Sequence, residues 1–181
     1  MTRIFCSDWC SVDNCEPLLI QQNINGSDAF NRSWAEYKVG FNDSRGNYWL
    51  GNDLLSQLTL TGRYKLRFDL QSRDTSNWYY AEYSTFIVQP ESDNYRLNVS
   101  GYSGNAGFDA FGHTRHNGQM FTTFDRDNDQ ASLVNCASLH GGGFWYMNCS
   151  TCCVNGYNNN FYWLSLPGRY LQSSRMWLQC K

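Results

Sequence analysis

The chain has 181 residues, with 14 Lys and Arg against 16 Asp and Glu, for a formal net charge of −2 at neutral pH. That length suits one domain with a real core, and a composition 41% apolar and 17% charged excludes wholesale disorder. The near-neutral balance offers no basic stripe for nucleic acid, and no apolar run is long enough to span a bilayer.

Residues 1–24 are short on periodicity and read as a disulfide-tied leading segment. Ser33-Trp-Ala-Glu-Tyr-Lys38 predicts a short helix stopped by Gly40, and Asn52-Asp-Leu-Leu-Ser-Gln-Leu58 a second one with Asn52 as N-cap. Tyr64–Leu70 alternates apolar and polar residues, as a half-buried strand does. Trp78–Val88 and Tyr95–Val99 alternate in the same way with aromatic and β-branched residues, so the three are expected as neighbours in one antiparallel sheet. Trp34, Trp49, Tyr64, Tyr80 and Phe86 are candidate core aromatics. From Gly101 onward Gly, Asn, Asp and Ser dominate. The aromatics and cysteines of that half predict an ordered, loop-built site.

The cysteines sit at the two ends: Cys6, Cys10 and Cys15, then Cys136, Cys149, Cys152, Cys153 and Cys180. An even count in an aromatic-rich, Asn-rich chain reads as disulfides in an oxidising compartment. Structural zinc is the rival, since Cys149-Ser-Thr-Cys152 is a C-x-x-C, but no second pair stands at zinc-ribbon spacing. Five N-x-S/T sequons, at Asn25, Asn31, Asn42, Asn98 and Asn148, fit a secreted glycoprotein. The opening Met1-Thr-Arg-Ile-Phe-Cys6 carries no apolar h-region, so no signal peptide is visible and secretion is inferred from the cysteines.

The sharpest chemical signal is Phe121-Thr-Thr-Phe-Asp125-Arg-Asp127-Asn-Asp129. Alternate carboxylates on a short loop converge their oxygens, which suits a hard cation such as Ca²⁺. Gln130 and Cys136 stand where an EF-hand needs Gly and Glu, so the loop is not an EF-hand. An Asx-turn array capping its own backbone is the structural alternative, and a general acid/base pair a third. His113 and His116, three apart in a Gly-rich loop, read as solvated or hydrogen-bonded rather than metal-ligating. His140, ahead of Gly141-Gly-Gly143, reads equally as a turn residue.

Several ordered blocks together resemble the fibrinogen-related domain, the family of the fibrinogen C-terminal globe, ficolins and tachylectin-type lectins. They are Asn25-Gly-Ser-Asp-Ala-Phe30, Trp34-Ala-Glu-Tyr-Lys-Val-Gly-Phe41, Tyr48-Trp-Leu-Gly-Asn-Asp53, Gly101-Tyr-Ser-Gly-Asn-Ala-Gly107, the acidic loop, Phe144-Trp-Tyr-Met-Asn-Cys149 and Val154-Asn-Gly156. The resemblance implies an α+β fold: a central twisted antiparallel sheet with short helices, then a loop-rich C-terminal subdomain carrying the calcium and ligand sites. The whole chain, 1–181, is then one domain, with a sheet-containing core over 25–100 and a binding subdomain over 101–181. Ca²⁺ would be held by the carboxylates of Asp127 and Asp129 and the backbone carbonyls of Ala131 and Leu133. Cys136–Cys149 would be the pocket disulfide, with the Asn148–Cys149 peptide in the cis form.

By the same resemblance, the ligand pocket would draw on His140, Asn148, Cys149, Ser150, Tyr157 and Tyr170. The chain departs from the family pattern at several of these positions. His140 stands where Tyr is usual, Ser150 where His is usual, and Phe144 replaces a Trp. Cys152 occupies a small-residue position with Cys153 beside it, which implies an extra disulfide or a rearranged loop. The expected function is non-enzymatic: recognition of glycans or acetylated groups in a calcium-adjacent pocket, in innate recognition, by a secreted protein that is multivalent at full length. The alternative is a protein–protein module of the angiopoietin or tenascin type, binding a receptor or matrix protein. An enzyme has little behind it, because a disulfide-bonded Cys136 beside His140 is no nucleophile.

Overall fold

Ser33 opens the first helix, α1 (Trp34–Val39), by a reciprocal capping box. Its side chain accepts the Glu36 N–H, and the Glu36 carboxylate takes the Ser33 N–H at 2.9 Å. Gly40 ends the helix with φ 92°, where a Cβ would collide with the Leu50 carbonyl. The second helix, α2 (Asn52–Thr59), is capped by Gly51 rather than by Asn52. Asn52 lies inside the helix because its Oδ1 accepts the buried Trp49 indole N–H at 2.9 Å, which removes it from capping duty.

The computed structural model describes residues 16–112 and 115–181. The expectations for Cys6, Cys10, Cys15 and His113 lie outside the described residues. The strands are β1 (Leu18–Ile24), β2 (Phe41–Asn42), β3 (Tyr48–Trp49), β4 (Tyr64–Ser72), β5 (Trp78–Val88), β6 (Leu97–Gly104), β7 (Cys152–Cys153), β8 (Tyr162–Trp163) and β9 (Leu171–Cys180). Seven of them form one antiparallel sheet in the order β2-β3-β1-β9-β4-β5-β6, and β7 and β8 make a separate ribbon. The three predicted strands are neighbours in it. Tyr95 does not belong to β6: its φ of 51° breaks the extended run, and its carbonyl accepts the Trp145 indole N–H at 2.7 Å.

Two expectations need correction. Part of the leading segment, residues 18–24, is a strand wedged between β3 and β9. The C-terminal half is not loops to its end, because β9 runs through the middle of the sheet. Both strands carry buried polar residues: Gln21 and Asn23 on β1, Ser173 and Ser174 on β9. These polar groups hold the loop-rich half down. Gln21 Nε2 reaches Val154 O and Asn155 Oδ1, each at 3.0 Å, and Asn23 Nδ2 donates to Val154 O and Gly156 O at 3.0 Å. Asn155 in turn donates to Gly143 O at 2.9 Å.

A single apolar core joins both halves. Tyr37, Trp49 and Trp145 pack around Phe121 with ring centroids 5.1–5.9 Å from it. Of the candidate core aromatics, Trp34, Trp49 and Phe86 are buried and Tyr64 packs against the core half-buried. Tyr80 instead lies half-exposed under the Arg67 guanidinium, 4.6 Å from its ring, because β5 alternates and turns that position outward. All five sequon asparagines are exposed. Among the described residues no helix is long and apolar enough to cross a membrane.

Candidate functional site

The acidic loop is fastened at its base by Thr122, which exchanges two backbone hydrogen bonds with Phe144 at 2.9 and 3.1 Å. Asp125 then turns back to α1. Its Oδ1 accepts the Trp34 N–H at 2.9 Å and the Thr123 hydroxyl at 2.7 Å, so this carboxylate sits on a helix N-terminus. Asp127 and Asp129 form successive Asx turns: Asp127 Oδ1 accepts Asp129 N–H at 3.2 Å, and Asp129 Oδ1 accepts Ala131 N–H at 2.8 Å. The second Asp129 oxygen accepts the Cys136 N–H at 2.8 Å. Burial raises the Asp129 pKa, the Cys136 and Ala131 donors oppose it, and the Asp127 charge adds to the rise.

That donor set suits a hard cation. Two carboxylates compete for one small space, and among the described residues no donor reaches the carbonyl oxygens of Ala131 or Leu133. No cluster of three or more His, Cys, Asp or Glu side chains forms among the described residues. A cation held here would therefore rest on two carboxylates completed by backbone oxygens.

Asn135 caps the third helix, α3 (Cys136–His140), by accepting the Ser138 N–H at 2.8 Å. The helix begins at the Cys136–Cys149 disulfide, with 5.5 Å between Cα atoms, so the loop, the helix and the 147–151 turn are one unit. Two expectations about this turn are corrected. The Asn148–Cys149 peptide is trans, which avoids the roughly 3–4 kcal/mol of a cis bond before a non-proline residue. No extra disulfide involves Cys152 or Cys153: both are buried thiols, facing apart along β7. Cys152 Sγ lies 3.6 Å from His116 Nε2, and Cys153 Sγ 3.4 Å from the Tyr146 hydroxyl. Burial pushes the Cys153 pKa up to about 12 and that of Cys152 upward as well. Cys180 is disulfide-bonded.

His116 is a structural residue. It is fully buried, with Nδ1 2.7 Å from Trp145 O and Nε2 accepting the Thr151 N–H at 3.4 Å. Burial lowers its pKa to about 4.

His140 differs from it in one respect. The residue is only 7% exposed, yet neither ring nitrogen has a hydrogen-bond partner among the described residues. Its ring stacks on Tyr146, 5.4 Å between centroids at 17°, and burial lowers its pKa, holding the neutral imidazole. The Asn160 side chain, whose Nδ2 donates to Leu139 O at 3.0 Å, lies against the ring and opposes that shift. His140 lines a cavity of about 360 Å³ together with Ser150, Asn159, Asn160, Tyr162, Leu164, Arg169 and Tyr170. The Ser150 and Tyr162 hydroxyls meet there at 2.6 Å.

Three of the six predicted ligand residues, His140, Ser150 and Tyr170, thus share one cavity. Tyr157 does not join them. Its ring covers Gly141, whose φ of 74° closes α3, and it lines a separate open cavity of about 610 Å³ with Asn25, Ser27, Asp28 and Arg45. Cys149 is half-buried at the disulfide and Asn148 is exposed, its carbonyl taken by Arg115 at 3.3 Å; neither lines the His140 cavity. Asn159, Asn160, Tyr162, Leu164 and Arg169 are the lining residues that sequence reasoning missed. In the β7–β8 ribbon, Phe161 and Trp163 point into the core and Tyr162 between them points out. A run of three aromatics conceals that alternation.

A family model of the fibrinogen beta and gamma chains' C-terminal globular domain matches residues 2–172. The chain belongs to this family. Bovine (Bos taurus) microfibril-associated glycoprotein 4 is 37% identical over 186 residues, covering 95% of this chain and 71% of that protein. Mouse (Mus musculus) tenascin is 46% identical over 125 residues, covering 69% of this chain; the chain spans only 6% of that protein. Among solved structures, the fibrinogen-like globe domain of human ANGPTL2 superposes with a TM-score of 0.81 at 34% identity, over 92% of this chain and 84% of that one. The sheet with few short helices is therefore a fibrinogen-like globe, and the chain, like its relatives, is a non-enzymatic domain.

Proposed function

We propose that this fibrinogen-like domain is a secreted recognition domain that binds a small polar group of a glycan, or an acetylated group, in the His140 cavity. The observation that carries this reading is His140 itself. A neutral imidazole buried without a partner in ordinary hydrogen-bond geometry leaves a donor and an acceptor that a ligand in the cavity would satisfy. The paired Ser150 and Tyr162 hydroxyls offer further polar contacts, and the Tyr162 and Tyr170 rings offer faces for an acyl methyl or a sugar ring. Asp127, Asp129 and the carbonyls of Ala131 and Leu133 would hold a Ca²⁺. The ion would neutralise the two carboxylates and stiffen the loop that leads into α3. One such cavity binds weakly, with a Kd on the order of millimolar or −4 kcal/mol, so function would come from several copies together.

A glycan array probed with the multimerised protein tests the reading, with Ca²⁺ and with chelator. Calcium-dependent binding to N-acetylated sugars, competed by free acetyl compounds, supports it. A blank array with a protein partner recovered by pull-down overturns it. That outcome would favour a receptor- or matrix-binding module, for which a second observation speaks. Leu133 is 93% exposed and Leu139 53%, beside the same disulfide, where a protein partner would cover them. Tenascin and angiopoietin-related protein 1 carry this domain type.

A further inference from the structure

Two arginines pack on Tyr170, a tyrosine of the His140 cavity wall. The Arg73 and Arg169 guanidinium carbons lie 4.4 and 4.9 Å from the centroid of the Tyr170 ring. Arg169 Nη2 donates to the Tyr170 hydroxyl at 2.9 Å, and Arg73 Nη1 donates to Asn159 Oδ1, in the cavity wall, at 3.4 Å. The backbone fixes the pair as well: Arg73 N–H donates to Tyr170 O at 2.9 Å, and Trp163 N–H to Arg169 O at 2.8 Å.

Arg169 is a non-glycine residue held at φ 52°, directly after Gly168 at φ 71°. Neither arginine forms an ion pair among the described residues, and no carboxylate lines the cavity. The nearest acid along the chain, Asp74, packs its carboxylate against Gly168 in the space a side chain would need there. Two oriented guanidiniums that form no ion pair among the described residues thus stand near the buried His140 imidazole, with the Asp74 carboxylate turned to Gly168.

We propose that the cavity selects anionic saccharides, with Arg73 and Arg169 holding a carboxylate or sulfate beside Tyr170 while His140 and Ser150 engage the neutral part of the sugar. This rests on the reading of the cavity as a saccharide pocket. A planar guanidinium offers paired N–H donors that match the oxygens of either anion, and stacking on Tyr170 orients them before the ligand arrives. A cationic ligand would meet two positive charges and no carboxylate in the cavity lining.

The test uses the full chain, multimerised, against matched sugars: a neutral N-acetylated hexosamine, its sulfated form, and a carboxylated sugar acid. The expected result is at least tenfold tighter binding of one or both acidic sugars, weakening steeply with added NaCl. The two acidic arms tell carboxylate from sulfate. Arg169→Gln and Arg73→Gln should each weaken acidic-sugar binding far more than neutral-sugar binding, removing most of that preference, and keep the thermal midpoint. Arg169→Lys should restore part of the preference. Neutral and acidic sugars bound equally, or a preference untouched by both substitutions, overturns the proposal while the pocket reading stands. Failure of every sugar to bind overturns both.

Discussion

Asp129 and Cys136 are joined by a hydrogen bond from the Cys136 N–H to Asp129 Oδ2, at 2.8 Å. The bond places a carboxylate of the acidic loop on the first residue of α3, which also carries the disulfide to Cys149. Whatever steadies the loop therefore steadies the helix that ends in His140. Calcium should act through this link. With Ca²⁺ at about ten times its Kd, stabilisation is about 1.4 kcal/mol, or a rise of roughly 3–5 °C in the thermal midpoint for a chain of this size. Asp127→Asn should abolish that rise while leaving the midpoint in chelator nearly unchanged. A calcium response that survives the substitution rejects the assignment.

The disulfide should stabilise the domain whether or not metal is bound. Its cysteines are 13 positions apart, and closing a loop of that size contributes about 3 kcal/mol in the chain-entropy model. Cys136→Ala with Cys149→Ala should lower stability by about that amount in urea titrations. Because Cys152 and Cys153 are buried and protonated, the double variant should not form a replacement bridge through them. Non-reducing peptide mapping that found one would contradict this account.

Much of the sheet was legible because its strands bury one apolar face. Tyr64–Ser72 alternates cleanly, and Ser33 with Glu36 announces a helix start three residues apart. The two central strands were not legible, because β1 and β9 bury Gln21, Asn23, Ser173 and Ser174. Gln21 and Asn23 satisfy the backbone of a loop over 130 positions away, and no local pattern encodes such a partner. At the site, resemblance located His140, Ser150 and the disulfide. Arg73 was beyond reach: it lies in the β4–β5 turn and meets Tyr170 only because β4 pairs with β9, where Ser72 aligns with Leu171.

Gln21 offers a direct test of how the loop half is held. Replacing it by Met keeps the volume but leaves Asn155 Oδ1 without its Gln21 donor, and removes one of the donors to Val154 O. An unsatisfied buried acceptor costs about 1–3 kcal/mol, so Gln21→Met should destabilise by about that much. Hydrogen exchange should rise over 142–156 and remain unchanged in β4 and β5. Uniform exchange changes across the sheet would show that Gln21 has no special hold on the loop.

Gly142 is a second joint, one of space rather than hydrogen bonding. A Cβ there would overlap the Asn155 carbonyl, and the Gly142 carbonyl already accepts the Tyr146 hydroxyl at 2.8 Å. Gly142→Ala should therefore cost about 1–3 kcal/mol by overpacking. Near-UV circular dichroism of the buried Tyr146 should change with it. An alanine variant as stable as the parent would mean that the loop relaxes at no cost.

His116 makes the fold sensitive to mild acid. Its folded pKa, about 4, lies below the ordinary imidazole value of 6.5, and burial is the cause. The unfolded chain therefore takes up a proton first as pH falls. Stability is full above about pH 6.5, declines between 6.5 and about 4, and levels off below as far as this residue is concerned. The span corresponds to about 3 kcal/mol at most. Protonation would also end the acceptance of the Thr151 N–H by Nε2, at the edge of the disulfide turn. His116→Asn retains a donor in place of Nδ1 toward Trp145 O and cannot titrate, so its thermal midpoint should vary less with pH across this window even if it is lower throughout. His140, whose pKa is also lowered by burial, acts in the same direction and should leave a residual slope. A His116→Asn profile parallel to that of the parent between pH 6.5 and 4 would remove His116 as the source of the acid sensitivity.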